Sequence, residues 1–175
     1  GVPTAGQLVT FTLPVGPDKL SFSETEVRLL VVSAHDGQGV VYSPNGLEIP
    51  FTFTANIGLE IILPHDLMLL DDLGKTNKGV LVYTTQPVNL TMYFVMNYAG
   101  EATQIFPDKA LGTDYLVSEW GIFNDPTEDN KTEITVVAAE DNTDVTIMPS
   151  VLCIGGHPAK TPITFTLNRG ECYIL

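Results

Sequence analysis

The sequence predicts an all-β fold: an antiparallel, β-sandwich-like chain of two tandem related β units, the second incomplete. Three observations predict it. Apolar and polar residues alternate with period two along many short segments, as in half-buried strands. Turn-forming residues recur between those segments at short intervals. One strand–turn–strand block occurs twice, with other strand matches preceding it in the same order.

The alternation is clearest where Phe51 and Phe53 interleave with Thr52 and Thr54. It recurs where Ile134 and Val136 interleave with Glu133 and Thr135, and again where Val145 and Ile147 interleave with Asp144 and Thr146. Val, Ile, Thr, Phe and Tyr dominate, and they suit a pleated surface. The turn signals are Asp36-Gly37, Asn45-Gly46, Asn56-Ile57-Gly58, Tyr98-Ala99-Gly100, Asp141-Asn142 and Asn168-Arg169-Gly170. Strands are expected near 7–13, 26–34, 38–43, 49–55, 59–63, 79–84 and 88–96. Further strands are expected near 113–119, 132–139, 143–148, 162–167 and 171–175. Only Leu67–Leu73 reads as a helical turn or two.

The repeated block is Ile49–Leu63 against Thr161–Leu175. It aligns without a gap, and 8 of 15 positions are identical. Both copies read strand, Asn-x-Gly turn, strand. A hairpin is expected at each, with the glycine in the left-handed region. Upstream, Thr25–Val32 matches Thr132–Ala139, and Gly6 and Gly112 are each expected to open a strand. The second copy carries extra residues around Val151–Lys160. The units are placed at residues 1–107 and 108–175, the second a truncated copy of the first. A last hairpin lacking its neighbours would leave an exposed edge. The start at Gly1, without a basic or long apolar leader, reads as a processed chain or a fragment of a longer protein.

Composition narrows the function. The net charge of −13 repels nucleic acid and anionic membrane surfaces. No apolar run is long enough to insert as a membrane helix. The apolar fraction of 44% is enough for a packed core.

No catalytic constellation emerges. His35-Asp36 and His65-Asp66 are adjacent pairs, and neighbours on a strand face opposite ways. His157 follows Gly155-Gly156, which lack the Lys and Ser/Thr of a phosphate loop. The three histidines have no metal-ligand spacing. No metal and no cofactor is therefore expected. Calcium is the one cation whose oxygen chemistry the acidic clusters Asp125–Asn130 and Glu140–Asp144 match. Turn capping by Asp and Asn is the commoner use of such residues. Trp120 is either a core residue or a sugar-stacking platform.

Cys153 and Cys172 both belong to features of the second copy alone, Cys172 standing where the first copy has Glu60. A disulfide between them would stabilise by about 3 kcal/mol on chain entropy. Two independent thiols are the alternative. Asn89-Leu90-Thr91 and Asn130-Lys131-Thr132 fit the N-glycosylation acceptor pattern.

Several blocks carry a family resemblance: Asn77–Val88, Ala110–Tyr115, Glu133–Ile147 and Thr164–Glu171. Together, over roughly Glu26 to Leu175, they resemble the N-terminal domain of the IgGFc-binding protein family, which is secreted. The pattern departs after Val88, where Asn89–Phe94 replaces a shorter strand and a glycine. The resemblance implies a non-catalytic extracellular or cell-surface module for binding or adhesion. Its partner would be a protein or a glycan, and its neighbours other domains of one longer chain. No ligand-binding residue carries over. The alternative reading is a structural spacer with no ligand of its own.

Overall fold

The computed structural model describes residues 9–13, 26–67, 73–95, 102–118, 134–153 and 156–175. The fold is all-β, with several antiparallel sheets and no closed barrel. The strands are β1 (Val9–Leu13), β2 (Glu26–Val32), β3 (Gly37–Tyr42), β4 (Glu48–Phe53), β5 (Leu59–Leu63), β6 (Gly74–Thr76) and β7 (Val80–Thr84). They continue with β8 (Asn89–Val95), β9 (Ala102–Ile105), β10 (Thr135–Val137), β11 (Thr143–Ile147), β12 (Ile163–Leu167) and β13 (Cys172–Ile174).

Two four-stranded sheets, ordered β1-β7-β3-β4 and β5-β2-β8-β9, share one core. Period two explains how. In β2, Val27, Leu29 and Val31 are fully buried, while Arg28, Leu30 and Val32 between them are half-exposed. Facing them from the other sheet come Phe11, Val41, Phe53, Val80 and Val82. On the outer face of β2, charge replaces packing. Arg28 Nη1 donates to Glu60 Oε2 at 2.8 Å, and the Tyr93 hydroxyl donates to the same carboxylate. Tyr93 first, and Arg28 second, hold the Glu60 carboxyl below its usual range.

The Asn-x-Gly blocks are not hairpins. β4 pairs with β3, and β5 pairs with β2, so the turn after Phe53 carries the chain from one sheet to the other. The second block does the same: β12 pairs with β11, and β13 with β10. The left-handed residues also differ. In the first turn it is Asn56, with φ 59°; in the second it is Gly170, with φ 76°. Asn tolerates that region because its side chain can bond locally.

The two blocks are tied down alike. Asp36 Oδ1 accepts from Ala55 N in the first turn, and Asp141 Oδ1 accepts from Arg169 N in the second. Asn56 N donates to the Ser33 carbonyl, and Gly170 N donates to the Ala138 carbonyl. The pairing Val27↔Leu63 in the first unit has its counterpart in the mutual backbone bonds of Ile134 and Leu175.

Three expectations are corrected. No strand forms over 113–118; residues 111–118 are exposed throughout, so Gly112 opens no strand. The helical turn near Leu67 is a single 3-10 turn, His65–Leu67, closed by Leu67 N to the Pro64 carbonyl; residues 68–72 lie outside the described residues. The far edge of β13 is not open, because β6 pairs with it at Cys172↔Thr76, Tyr173↔Lys75 and Ile174↔Gly74.

That last pairing joins the two ranges of the chain, and side chains reinforce it. Lys75 on β6 lies 2.7 Å from Glu171 Oε2 and donates to the Thr166 carbonyl. Arg169 pairs with Asp108 at 3.0 Å and lies over the Tyr83 ring. The turn around Gly170 thus covers the outer face of β7. This is why Val80, Leu81 and Val82 form a continuous buried run instead of an alternation.

Candidate binding surface

The side chains singled out as chemical candidates stay apart or serve the backbone. His35 and His65 are exposed, and His157 is half-buried in the loop between β11 and β12. There the His157 carbonyl accepts from Cys153 N at 3.0 Å, and Gly156, with φ 82°, closes a turn onto the Cys153 carbonyl. Among the described residues no three His, Cys, Asp or Glu side chains gather as metal ligands. Contacts within Glu140–Asp144 serve a turn and one cross-strand pair between β11 and β12. Asp141 accepts from Arg169 N, Asp144 accepts from the Thr166 hydroxyl at 2.7 Å, and Glu140 offers its carbonyl to the Thr143 hydroxyl. Trp120, Asn130 and the cluster Asp125–Asn130 lie outside the described residues.

Cys153 and Cys172 are both free thiols, so the expected staple is not formed in this structure. The reason lies in the faces. Glu60 occupies the solvent side of its sheet. The equivalent side of β13 is covered, and Cys172 packs there with Ile174 and Val137. Burial pushes the Cys172 thiol up to about 12. Cys153 sits half-buried in the outer loop. Iodoacetamide should therefore modify one cysteine in the native protein and two after denaturation, with or without prior reduction. Modification only after reduction, read by intact mass, would contradict two free thiols.

Asn89 opens β8 and is exposed, opposite Val32. Leu90, the middle of its acceptor triplet, is fully buried, so the strand presents Asn89 and Thr91 on one side and anchors itself on the other.

The feature that sequence reasoning missed is a group of exposed apolar side chains. Phe106, Leu111, Tyr115, Leu116 and Val117 follow β9, and Leu116 is 99% exposed. Met148, Val151 and Leu152 lie in the long loop after β11 and are also exposed. Single exposed apolar residues are ordinary, but runs of them mark contact surfaces. Tyr115 is held in place, its hydroxyl accepting from Gly112 N at 2.8 Å. The missed signal was the run Tyr115-Leu116-Val117 itself, whose apolar content reads as a strand. Its surroundings offer no covering partner among the described residues. The concavity beside β3 and β4, lined by Gln38, Gly39, Pro50, Phe51, Thr52 and Leu59, holds no convergent ionisable groups.

No curated protein and no solved structure matches the chain. The resemblance drawn from the sequence ran from Glu26, whereas the family match begins later and leaves out the block Asn77–Val88. Residues 101–175, which hold both runs of exposed apolar side chains, match the model of the family described as IgGFc binding protein.

Proposed function

We propose that the protein is a non-catalytic extracellular module for binding or adhesion. It engages a protein or glycan partner through the apolar segments after β9 and β11. One observation carries this reading: eight large apolar side chains, from Phe106 to Leu152, stand exposed within the range that matches a binding family. The first segment follows β9, an edge strand of the sandwich, and the second joins the paired strands β11 and β12. A protein partner fits them better than a glycan, since only Phe106 and Tyr115 of the eight offer a sugar a stacking face. Asn89 is the described acceptor for a glycan of its own. Its exposed amide lies on β8, away from both segments in sequence.

The experiment is direct binding to immobilised immunoglobulin Fc and, in parallel, to a glycan array. Leu116→Asp with Tyr115→Ala should weaken a saturable interaction by about a hundredfold, the effect of losing central contact residues. The same variant should leave thermal unfolding unchanged, because both side chains are exposed. Absence of binding to both surfaces, or binding untouched by the variant, overturns the reading. The spacer alternative then gains ground, and the β6–β13 pairing that joins the two ranges supports it.

A further inference from the structure

We propose that Asp108 works as a proton-operated clamp, which fastens the apolar segment after β9 to the Gly170 turn more tightly in acid than at neutral pH. Two distant parts of the chain meet at this carboxylate. Asp108 opens the 3-10 turn Asp108–Ala110, between Phe106 and Leu111 of the exposed segment. Arg169 stands next to Gly170 in the turn between β12 and β13. Arg169 Nη2 donates to Asp108 Oδ2 at 3.0 Å.

The carboxylate is poorly provided for as an anion. Its side chain is only 17% exposed. Arg169 bonds one of its two oxygens, where the strongest guanidinium pairs bond both. Among the described residues, Asp108 Oδ1, Arg169 Nε and Thr12 Oγ1 are buried without a hydrogen-bond partner. The Arg169 charge is also shared, because the guanidinium lies 5.4 Å from the centre of the Tyr83 ring. Taking a carboxylate out of water is costly, and a single charged contact need not offset it. Burial accordingly raises the Asp108 carboxyl above its ordinary range, and Thr12 and Arg169 only partly counter it.

A proton answers this arrangement. The neutral carboxyl has an O–H to donate, and the neighbouring Thr12 Oγ1 is a buried acceptor without a partner. Asp108 Oδ2 still accepts from Arg169. The clamp keeps its contact and sheds a buried negative charge. The titratable groups facing Asp108 are Arg169 from the Gly170 turn, Tyr83 from β7 and Glu140 from the turn before β11. β1 presents Thr12, which does not titrate, and Lys109 on the same 3-10 turn is exposed. The folded carboxyl holds its proton to higher pH than the unfolded one. Its contribution to stability is therefore fully present below the ordinary aspartate range and is lost as pH rises through the raised value. The inference stands apart from the binding role of the segment.

The test uses the whole chain and the isosteric variant Asp108→Asn, which mimics the neutral carboxyl. Carbon-detected NMR of the Asp108 carboxyl in the wild type should show a midpoint above the ordinary aspartate range. The Gly79 amide, which donates to the Gly170 carbonyl, reports the docking of the turn. Its protection factor should rise as pH falls in the wild type and stay level in Asp108→Asn. At neutral pH the variant should be at least as well protected as the wild type. A midpoint at or below the ordinary range overturns the inference. So does a loss of Gly79 protection in Asp108→Asn at neutral pH, the mark of an ordinary ion pair, or the same pH dependence in both proteins.

Discussion

Replacing Leu29 with Ala should destabilise the protein by about 3–4 kcal/mol, the range for a fully buried leucine whose cavity cannot collapse. Leu29 sits at the middle of β2 with 0% exposure, between Ile61 on β5 and Met92 on β8. Across the core it belongs to the cluster with Val41, Phe53 and Val82. Strands on both sides fix the backbone, so the vacated volume has no easy route to closure. Urea unfolding should show a lower midpoint with an unchanged slope. Ile62→Ala is the matched control. Ile62 is 54% exposed on the opposite face of the same sheet. Its loss should cost about 0.5 kcal/mol or less. Equal costs at the two positions would mean that β5 and β2 are not oriented as described.

The second large effect is expected at Gly79, where two backbones meet. Gly79 N donates to the Gly170 carbonyl at 3.0 Å. A Cβ on Gly79 would run into that same carbonyl oxygen and lie 2.9 Å from Val137 Cγ2. A side-chain tip could swing aside, but a carbonyl fixed in a turn cannot. Gly79→Ala should therefore cost about 2 kcal/mol, within the range for overpacking. It should also loosen the contact between β7 and the Gly170 turn. Gly112→Ala, whose nearest neighbour is the Tyr115 hydroxyl at 4.0 Å, should change stability very little. Circular dichroism melts of the two variants separate the effects.

Most of the fold was legible because most strands are half-buried, and burial on one face writes period two into the sequence. β2, β5, β11 and β12 are of this kind; the expected limits of β5 match the observed ones, and those of the other three differ by a residue or two. β6 and β9 were not legible. β6 is Gly-Lys-Thr, three residues held by β13 from far along the chain, with no alternation to read. β9 is an edge strand whose Ala102, Thr103 and Gln104 are all exposed, so no core face marks it. The false strand near 113–119 is the converse. Tyr115, Leu116 and Val117 have strand-forming side chains, yet no sheet among the described residues receives them.

The arches had a similar cause. A strand–turn–strand sequence looks the same whether the turn returns the chain to its neighbour or crosses to the opposite sheet. Only the partners decide, and those are distant in sequence. The candidate site was less legible than the fold. Acidic turns, histidines and cysteines carry recognisable chemistry, so they drew attention first. The structure puts Asp36 and Asp141 to work on backbone amides, pairs Asp144 with the Thr166 hydroxyl, and buries Cys172. The exposed apolar segments have no such signature; only the fold shows that they are uncovered.

β13 is an inner strand, with β10 on one edge and β6 on the other, and it joins the C-terminal range to the N-terminal one. Native-state amide exchange at Cys172, Tyr173 and Ile174 tests this most directly. β13 should be protected along both edges, with all three amides exchanging far more slowly than those of the exposed edge strand β9. Protection only at amides that face β10, with the remainder exchanging as fast as β9, would contradict it.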